Sequence, residues 1–346
     1  MIENIKCLVW DLDNTIWSGT LIEADSCRLK YGIKSILSQL DSRGILLSIA
    51  SANDQDMAVS ILRKKRLLHY FLCPQIGWSN KVSSIKKISK ILDIPMNVLG
   101  FIDNEPYEIE QVKHLLPLVR TYSANEYIDL LKRDEFKPQF RTKESSMRRS
   151  MYMHSSYREK AQKQLGCSRK AFLKICNTQI NIRDAVESDL PRLLELMRRT
   201  HQLNSTGTVY NENQICSFIS DDEYHIYVAE LRDRFVDYGR IGVAIVHCTD
   251  SKFEIISFLL SCRILGRGIG HFFLTWLQVK AFKLGYSKIN SHFVKRDRNH
   301  RMRMLYQFAG FEQDKTNKND SIVFTKKTAQ KLKIPEWLVL NKGMEV

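Results

Sequence analysis

Asp11 and Asp13 stand two residues apart, directly after the apolar start of "CLVWDLDNTIWSG", residues 7–19. Carboxylates at the end of a buried strand are costly to desolvate unless something uses them. Three more polar residues hold comparable places. Ser51 follows the run Ile45–Ala50, Asp103 follows Val98–Ile102, and Lys81 opens a helix-like segment. Phosphoryl chemistry at a magnesium ion needs oxygen ligands, a nucleophile in line with phosphorus, and cations or donors on the phosphate oxygens. Asp11 projects from a strand end and Asp13 lies in the turn, so one can attack while the other gives or takes a proton. Ser51 is suited to a phosphate oxygen, Lys81 to neutralising phosphate charge, and Asp103 to completing a metal site.

The elements that would position these residues follow from the pattern. Apolar runs at Ile5–Trp10, Ile45–Ala50, Tyr70–Cys73, Val98–Ile102 and Leu116–Val119 alternate with helix-like Tyr31–Ser42, Asp54–Lys65, Val82–Leu92 and Tyr107–His114. Such alternation predicts an α/β domain, a parallel sheet with helices on both faces, over residues 1–133. Ligands bind beyond the carboxyl ends of such strands, where all five residues fall. About 37 residues separate Asp13 from Ser51, too few for a large cap, so the site is expected to be open to bulky partners. Residues 134–178 are strongly basic and read as an exposed helical connector or a helix at a partner surface. From 179 to 346 a second, mixed α/β module is expected. Its strands are Ile180–Ile182, His225–Leu231, Gly239–Thr249 and Lys288–Phe293, its helices Ser188–Arg199 and His300–Phe308, with a strand, Gly-rich turn and long helix from Phe253 onward.

Composition narrows the classes. The chain has 346 residues, 44% hydrophobic and 26% charged, which suits a globular protein of two domains. No apolar run reaches about 18 residues, so no membrane partner is expected. The N-terminus enters a strand-like segment with no basic and apolar leader. The eight cysteines are scattered without paired spacing, which argues against zinc or a disulfide scaffold and for the cytoplasm. The net charge of +15 comes without a nucleic-acid motif, so an acidic partner is favoured over DNA or RNA.

"DLDNT", "SIASAN", the lysine of "GWSNKVSSI" and "FIDNEP" resemble, in order, motifs I to IV of the haloacid dehalogenase (HAD) superfamily. The resemblance implies a Rossmann-like fold and Mg2+ as cofactor. It implies Asp11 as aspartyl nucleophile and Asp13 as general acid/base, with Ser51 and Lys81 on phosphate. It also implies Thr15, Ala52 and Asn53 at the phosphate, and Asp11, Asp13, Asp103 and Asn104 at the metal. Where related proteins commonly read Asp-Asp-Asn-Pro, this chain has Asp103-Asn104-Glu105-Pro106, an amide for one carboxylate.

In "SCRILGRGIGHFFL" glycines precede a helix, an arrangement in which backbone N–H groups approach a pyrophosphate. The spacing Arg263-x-x-Gly266-x-Gly268, with Asn299, Tyr306 and Gly310-Phe311 beyond it, resembles the Gcn5-related N-acetyltransferase (GNAT) fold. There the turn holds the pantetheine pyrophosphate of coenzyme A. This implies Arg263, Gly266, Arg267, Gly268, Gly270 and Asn299 as pantetheine-binding. No general base stands out, so a degenerate, binding-only module fits as well as an acetyltransferase.

A HAD module followed by a GNAT-like module resembles the FkbH-like proteins over nearly the whole chain. "KCLVWDLDNTIWSG", "SCRILGRG" and Thr200-His201-Gln202-Leu203-Asn204 carry the resemblance, the last with His201 and Leu203 where Asn-Gln-Phe-Asn is usual. Such proteins take a three-carbon unit from 1,3-bisphosphoglycerate and place it as a glyceryl thioester on an acyl carrier protein for polyketide or tetronate pathways. Many carry Cys where this chain has Leu21, and of their Gly-Glu-Asp-Gly only Glu23 is kept. Cys27 is the best-placed cysteine for an acyl-enzyme. Two rivals stay open: a Mg-dependent phosphatase with a binding module, and an acetyltransferase on a non-catalytic HAD scaffold.

Overall fold

The computed structural model describes residues 3–21, 27–166, 168–314, 321–341 and 344; Glu23 lies outside them. The chain divides into two compact units, Met1–Met153 and His154–Val346.

Unit 1 runs β1 (Cys7–Trp10), β2 (Trp17–Ser18), β3 (Arg28–Leu29), α1 (Ile33–Ser42), β4 (Leu46–Ser51), α2 (Gln55–Lys64), β5 (Gln75–Ile76), α3 (Lys81–Leu92), β6 (Leu99–Asp103), α4 (Pro106–Leu115), β7 (Arg120–Ser123) and α5 (Lys143–Ser146). Five strands pair in the order β5-β4-β1-β6-β7, all parallel. The expected α/β class is what is found. Every residue of β1, β4 and β6 is buried, as a sheet covered on both faces requires. Leu8 and Trp10 pack with Ile36, Leu37 and Leu62 from α1 and α2, while Cys7 and Val9 pack with Ile85, Ile88 and Val112 from α3 and α4. Between β1 and β4 the described residues hold the β2–β3 hairpin and α1.

The expected strand at Tyr70–Cys73 is displaced. Phe71 makes one isolated bridge to Leu47, Cys73 turns the chain at φ 39°, and the ladder falls at Gln75–Ile76. The run is apolar because Phe71 and Leu72 fill the core. The fifth strand likewise lies at Arg120–Ser123, beyond Leu116–Val119.

The basic segment expected as an exposed connector is anchored instead. Phe136, Glu144 and Ser145 are buried. Arg148 donates to Gly44 O at 2.8 Å, and Arg149 pairs with Asp41 at 2.9 Å. These arginines read as surface charge in sequence, but they satisfy carbonyl and carboxylate acceptors of unit 1. They open α6 (Arg148–Leu165), which continues into unit 2.

Unit 2 continues with α7 (Arg169–Ile175), β8 (Thr178–Asp184), α8 (Leu190–Arg199), α9 (Glu212–Ser220), β9 (Tyr224–Arg232), β10 (Asp237–Thr249), β11 (Lys252–Leu260), α10 (Ile269–Lys283), β12 (Lys288–Val294), α11 (His300–Phe308), β13 (Glu312–Gln313), β14 (Ser321–Lys327) and β15 (Leu338–Leu340). Its eight-stranded mixed sheet has the order β13-β14-β12-β11-β10-β9-β8-β15. β11 and β12 are parallel and pair only over Phe253–Ile255 and Ile289–Ser291. Beyond that the chain's own Leu203–Ser205 bonds to both: Ser205 N to Phe258 O at 2.9 Å, Leu260 N to Leu203 O at 2.8 Å, and Val294 N to Ser205 O at 2.9 Å. Among the described residues no helix is long and apolar enough to cross a membrane.

Asp189, fully buried before α8, anchors the β8–β10 face. It accepts two bonds from Arg183, at 2.6 and 3.0 Å, one from Val186 N at 2.9 Å, and one from Arg240. Burial alone would raise its carboxyl, but Arg183, Val186 N–H and Arg240 outweigh burial and hold it down at about 2. A depressed carboxyl stabilises the fold above its unfolded value of 3.8, and that contribution disappears as pH falls through about 2. Asp189→Asn is expected to cost about 3 kcal/mol at pH 7, because two guanidiniums lose their carboxylate. Urea melts should show the deficit shrinking below pH 4.

Candidate active site

Leaving β1, the chain adds β4 and β5 on one side, then crosses to add β6 and β7 on the other. The carboxyl end of β1 is therefore the point where strand order reverses, the place where ligands bind in such sheets. Asp11 follows β1, Ser51 ends β4 and Asp103 ends β6, so neighbouring strands present three side chains to one place. Asn80 caps α3 by accepting from Ser83 N at 2.8 Å, which fixes Lys81 as the first helical residue.

The four side chains meet. Lys81 Nζ donates to Asp11 Oδ1 and to Ala50 O at 3.0 Å, and stands 3.1 Å from Asp103 Oδ2. Ser51 Oγ donates to the same Asp11 oxygen at 3.0 Å and accepts from Asn53 Nδ2 at 3.0 Å. Asp11, Ser51, Lys81 and Asp103 are all at most 5% exposed. One ammonium faces two carboxylates, leaving one negative charge in excess. Burial pushes the Asp11 carboxyl up to about 6, with Lys81 opposing and Asp103 adding to the rise. Burial works against the Lys81 ammonium, but Asp11 and Asp103 outweigh it and hold its value above the ordinary one.

Other expected residues are placed as follows. Thr15 is buried and donates to Asn104 Oδ1 at 3.3 Å, tying the turn after β1 to the turn after β6. Ala52 is exposed. Asp13, expected among the metal ligands, engages both carboxylate oxygens elsewhere: Oδ1 accepts from Trp17 Nε1 at 2.8 Å, and Oδ2 from Leu21 N at 3.2 Å. Those two bonds fix the orientation of its carboxylate. Cys27 lies in the hydrophobic core with its thiol 3.8 Å from Thr20 O. Burial and then Asp13 push that thiol up, with Lys65 opposing, so the thiolate an acyl-enzyme needs is disfavoured. Cys27→Ser is accordingly expected to keep activity within about twofold of the parent in steady-state assays.

Sequence reasoning missed Glu108. It lies in the first turn of α4, five residues after Asp103, and its Oε2 is buried with no hydrogen-bond partner. Burial pushes its carboxyl up, Lys81 pulls it back, and Asp103 and Glu105 add to the rise, so it shares their field. Asp103 Oδ2, though ion-paired with Lys81, also lacks a hydrogen bond. Two buried carboxylate oxygens with no hydrogen bond, one of them only ion-paired with Lys81, beside an excess negative charge, fit a hard divalent cation. Among the described residues no group of three or more His, Cys, Asp or Glu is arranged to hold a metal alone. Mg2+ suits that poverty, since it commonly takes one or two carboxylates and fills its shell with water and phosphate oxygens. Asp11 and Asp103, which meet at Lys81, would hold it, and it would supply positive charge at their oxygens.

No family model matches the chain, and no curated protein does. Solved structures resemble parts of it. The N-terminal part of a Bacteroides fragilis protein, containing a phosphatase domain complexed with Mg, is 25% identical over 38% of this chain and 40% of that one, with a TM-score of 0.34. The ribosomal-protein-S18-alanine N-acetyltransferase from Escherichia coli is 16% identical over 43% of this chain and 94% of its own, with a TM-score of 0.34. A GNAT family acetyltransferase from Elizabethkingia anophelis with acetyl-CoA bound is 17% identical over 43% of this chain and 97% of its own, with a TM-score of 0.32.

The Gly-rich turn of unit 2 forms as expected between β11 and α10, and its residues have distinct roles. Gly266 and Gly268 both lie at φ 74°, the left-handed region, and Gly268 caps α10. At Gly270 a Cβ would come within 2.7 Å of Leu260 and 2.8 Å of Leu305, so that glycine serves close packing. Arg263 is half-buried in the short turn Cys262–Ile264. Arg267, expected at a pyrophosphate, turns inward: it pairs with Asp233 at 3.3 Å and donates to Tyr238 OH at 2.8 Å, while Arg158 takes the same carboxylate at 2.8 Å. Asn299 is also committed. Its amide donates to Val294 O at 2.8 Å and Asn204 O at 3.2 Å, and accepts from Arg296 N at 3.0 Å. Both side chains are thus engaged by neighbours within unit 2.

Proposed function

We propose that the chain transfers a glyceryl unit from 1,3-bisphosphoglycerate, or a related acyl phosphate, to the phosphopantetheine thiol of an acyl carrier protein. The observation that carries this reading is the convergence of Asp11, Ser51, Lys81 and Asp103 at the carboxyl ends of neighbouring parallel strands. Added to it are the ordered resemblance to the HAD motifs and the Gly-rich turn of unit 2.

Attack at phosphorus would release free glycerate and dissipate the acyl activation, so the productive bond is made at the carbonyl carbon. The thiolate sulfur attacks that carbon, the carbon–oxygen bond to phosphorus breaks, and inorganic phosphate leaves with the electron pair. Ser51 and Lys81 serve the phosphate, and Asp13, oriented by Trp17 and Leu21, takes the thiol proton. Because Cys27 is buried with a raised thiol, the attacking sulfur is the carrier's own.

Intact-protein mass spectrometry of a phosphopantetheinylated carrier, incubated with the chain, Mg2+ and 1,3-bisphosphoglycerate, should show the mass of a glyceryl thioester. Phosphate release with no change in carrier mass would instead establish a plain phosphatase, and turnover of acetyl-CoA an acetyltransferase.

A further inference from the structure

β11 and β12 are parallel neighbours, so their carboxyl ends point the same way. From β12 the chain enters "KRDRNHRMR", residues 295–303, which carries five Lys or Arg and His300 against the single acid Asp297. Lys295, Arg296, Arg298, His300 and Arg301 are all exposed. Arg296 donates to Thr206 O at 2.9 Å and Arg303 to Gln313 Oε1 at 3.1 Å, neither of them a carboxylate. Lys295 and Arg298 bond to no described residue. Like charges held this close are a cost to the fold, since they raise its electrostatic self-energy.

The same feature continues along α11. Arg301, Met304 and Phe308 follow at helical spacing on its outer face, with Met304 44% and Phe308 76% exposed. Exposed Phe and Met beside Arg is the composition of a protein interface rather than of an ordinary solvated face. A nucleic acid would use the cations equally, but the sequence carries no nucleic-acid motif.

We propose that this face, from Lys295 to Phe308, docks an acidic partner protein. Phe308 and Met304 meet an apolar spot on the partner, while Lys295, Arg296 and Arg298 pair with its carboxylates. The inference rests on the reading that the acceptor is a carrier protein, and it assigns the surface that such a carrier would use.

The test titrates a phosphopantetheinylated acyl carrier protein into the full-length chain, into Lys295→Glu/Arg298→Glu and into Phe308→Ala, at low and at physiological salt. Thermal melts confirm that each variant is folded. The charge-reversal pair is expected to weaken binding about tenfold or more and to remove most of its salt dependence. Phe308→Ala is expected to weaken binding while keeping that dependence. Variants that bind like the parent, a parent that does not bind the carrier, or a parent that binds single-stranded DNA more tightly than the carrier would each overturn the proposal. A chain that binds the carrier through this face but loads no acyl group keeps the docking surface and removes the transfer reading. A chain whose loading of the carrier is unaffected by the variants does the reverse.

Discussion

Asp11→Asn is expected to abolish phosphate release and acyl transfer, by about a thousandfold or more, while leaving the protein as stable as the parent or more so. The two halves of this expectation share one cause. Asp11 is buried, and burial pushes its carboxyl up to about 6, against an ordinary 3.8. A carboxyl raised on folding stabilises below its unfolded value, and that contribution falls away as pH rises through the folded one. At neutral pH the ionised Asp11 is therefore held in place at the expense of the fold, which is common where chemistry needs a charge. The amide keeps the shape and removes the charge. Lys81 keeps Asp103 at 3.1 Å and Ala50 O at 3.0 Å, so no cation is stranded. Thermal melts with chelator should show the parent losing stability between about pH 4 and pH 6 and the variant lacking that loss. A variant that melts well below the parent at neutral pH would show that Asp11 is chiefly structural.

The residues that could do chemistry were legible because a parallel sheet leaves them few places to be. Once β1, β4 and β6 are read as buried strands, Asp11, Ser51 and Asp103 must stand at their carboxyl ends, and adjacency in the sheet does the rest. Glu108 was not legible, because a glutamate in the first turn of a helix is favoured by the helix dipole alone and needs no site to explain it. Its buried oxygen distinguishes it, and burial of one atom has no sequence pattern. The strand mis-set at Tyr70–Cys73 has a similar origin: apolarity reports burial, while pairing at Gln75–Ile76 depends on where Cys73 turns the chain. Arg267 and Asn299 matched a motif by spacing, yet their partners Asp233, Asn204 and Val294 come from distant parts of the chain. Arg148 and Arg149 show the same limit, since a basic run does not announce that Gly44 O and Asp41 are waiting for it.

Lys81→Met is expected to destabilise unit 1 by about 3–5 kcal/mol without metal, and Mg2+ is expected to restore part of that loss. Among the described residues Lys81 is the one ammonium ion-paired with both Asp11 and Asp103, and methionine leaves two buried carboxylates facing each other. Each lost partner exposes the remaining charge to the full penalty of burial. A cation that binds the folded state stabilises it by mass action, and it should do so more in the variant, where the carboxylates have no other counter-charge. Urea melts of parent and variant, across a Mg2+ series and with chelator, check this directly. The cycle with Asp11→Asn sharpens it. Removing one carboxylate should rescue much of the Lys81→Met deficit, giving a coupling of about 1–3 kcal/mol, whereas independent sites would add. A deficit that ignores both Mg2+ and Asp11→Asn would mean that Lys81 acts through packing against Phe101, whose ring lies 5.9 Å away, and not through the carboxylates.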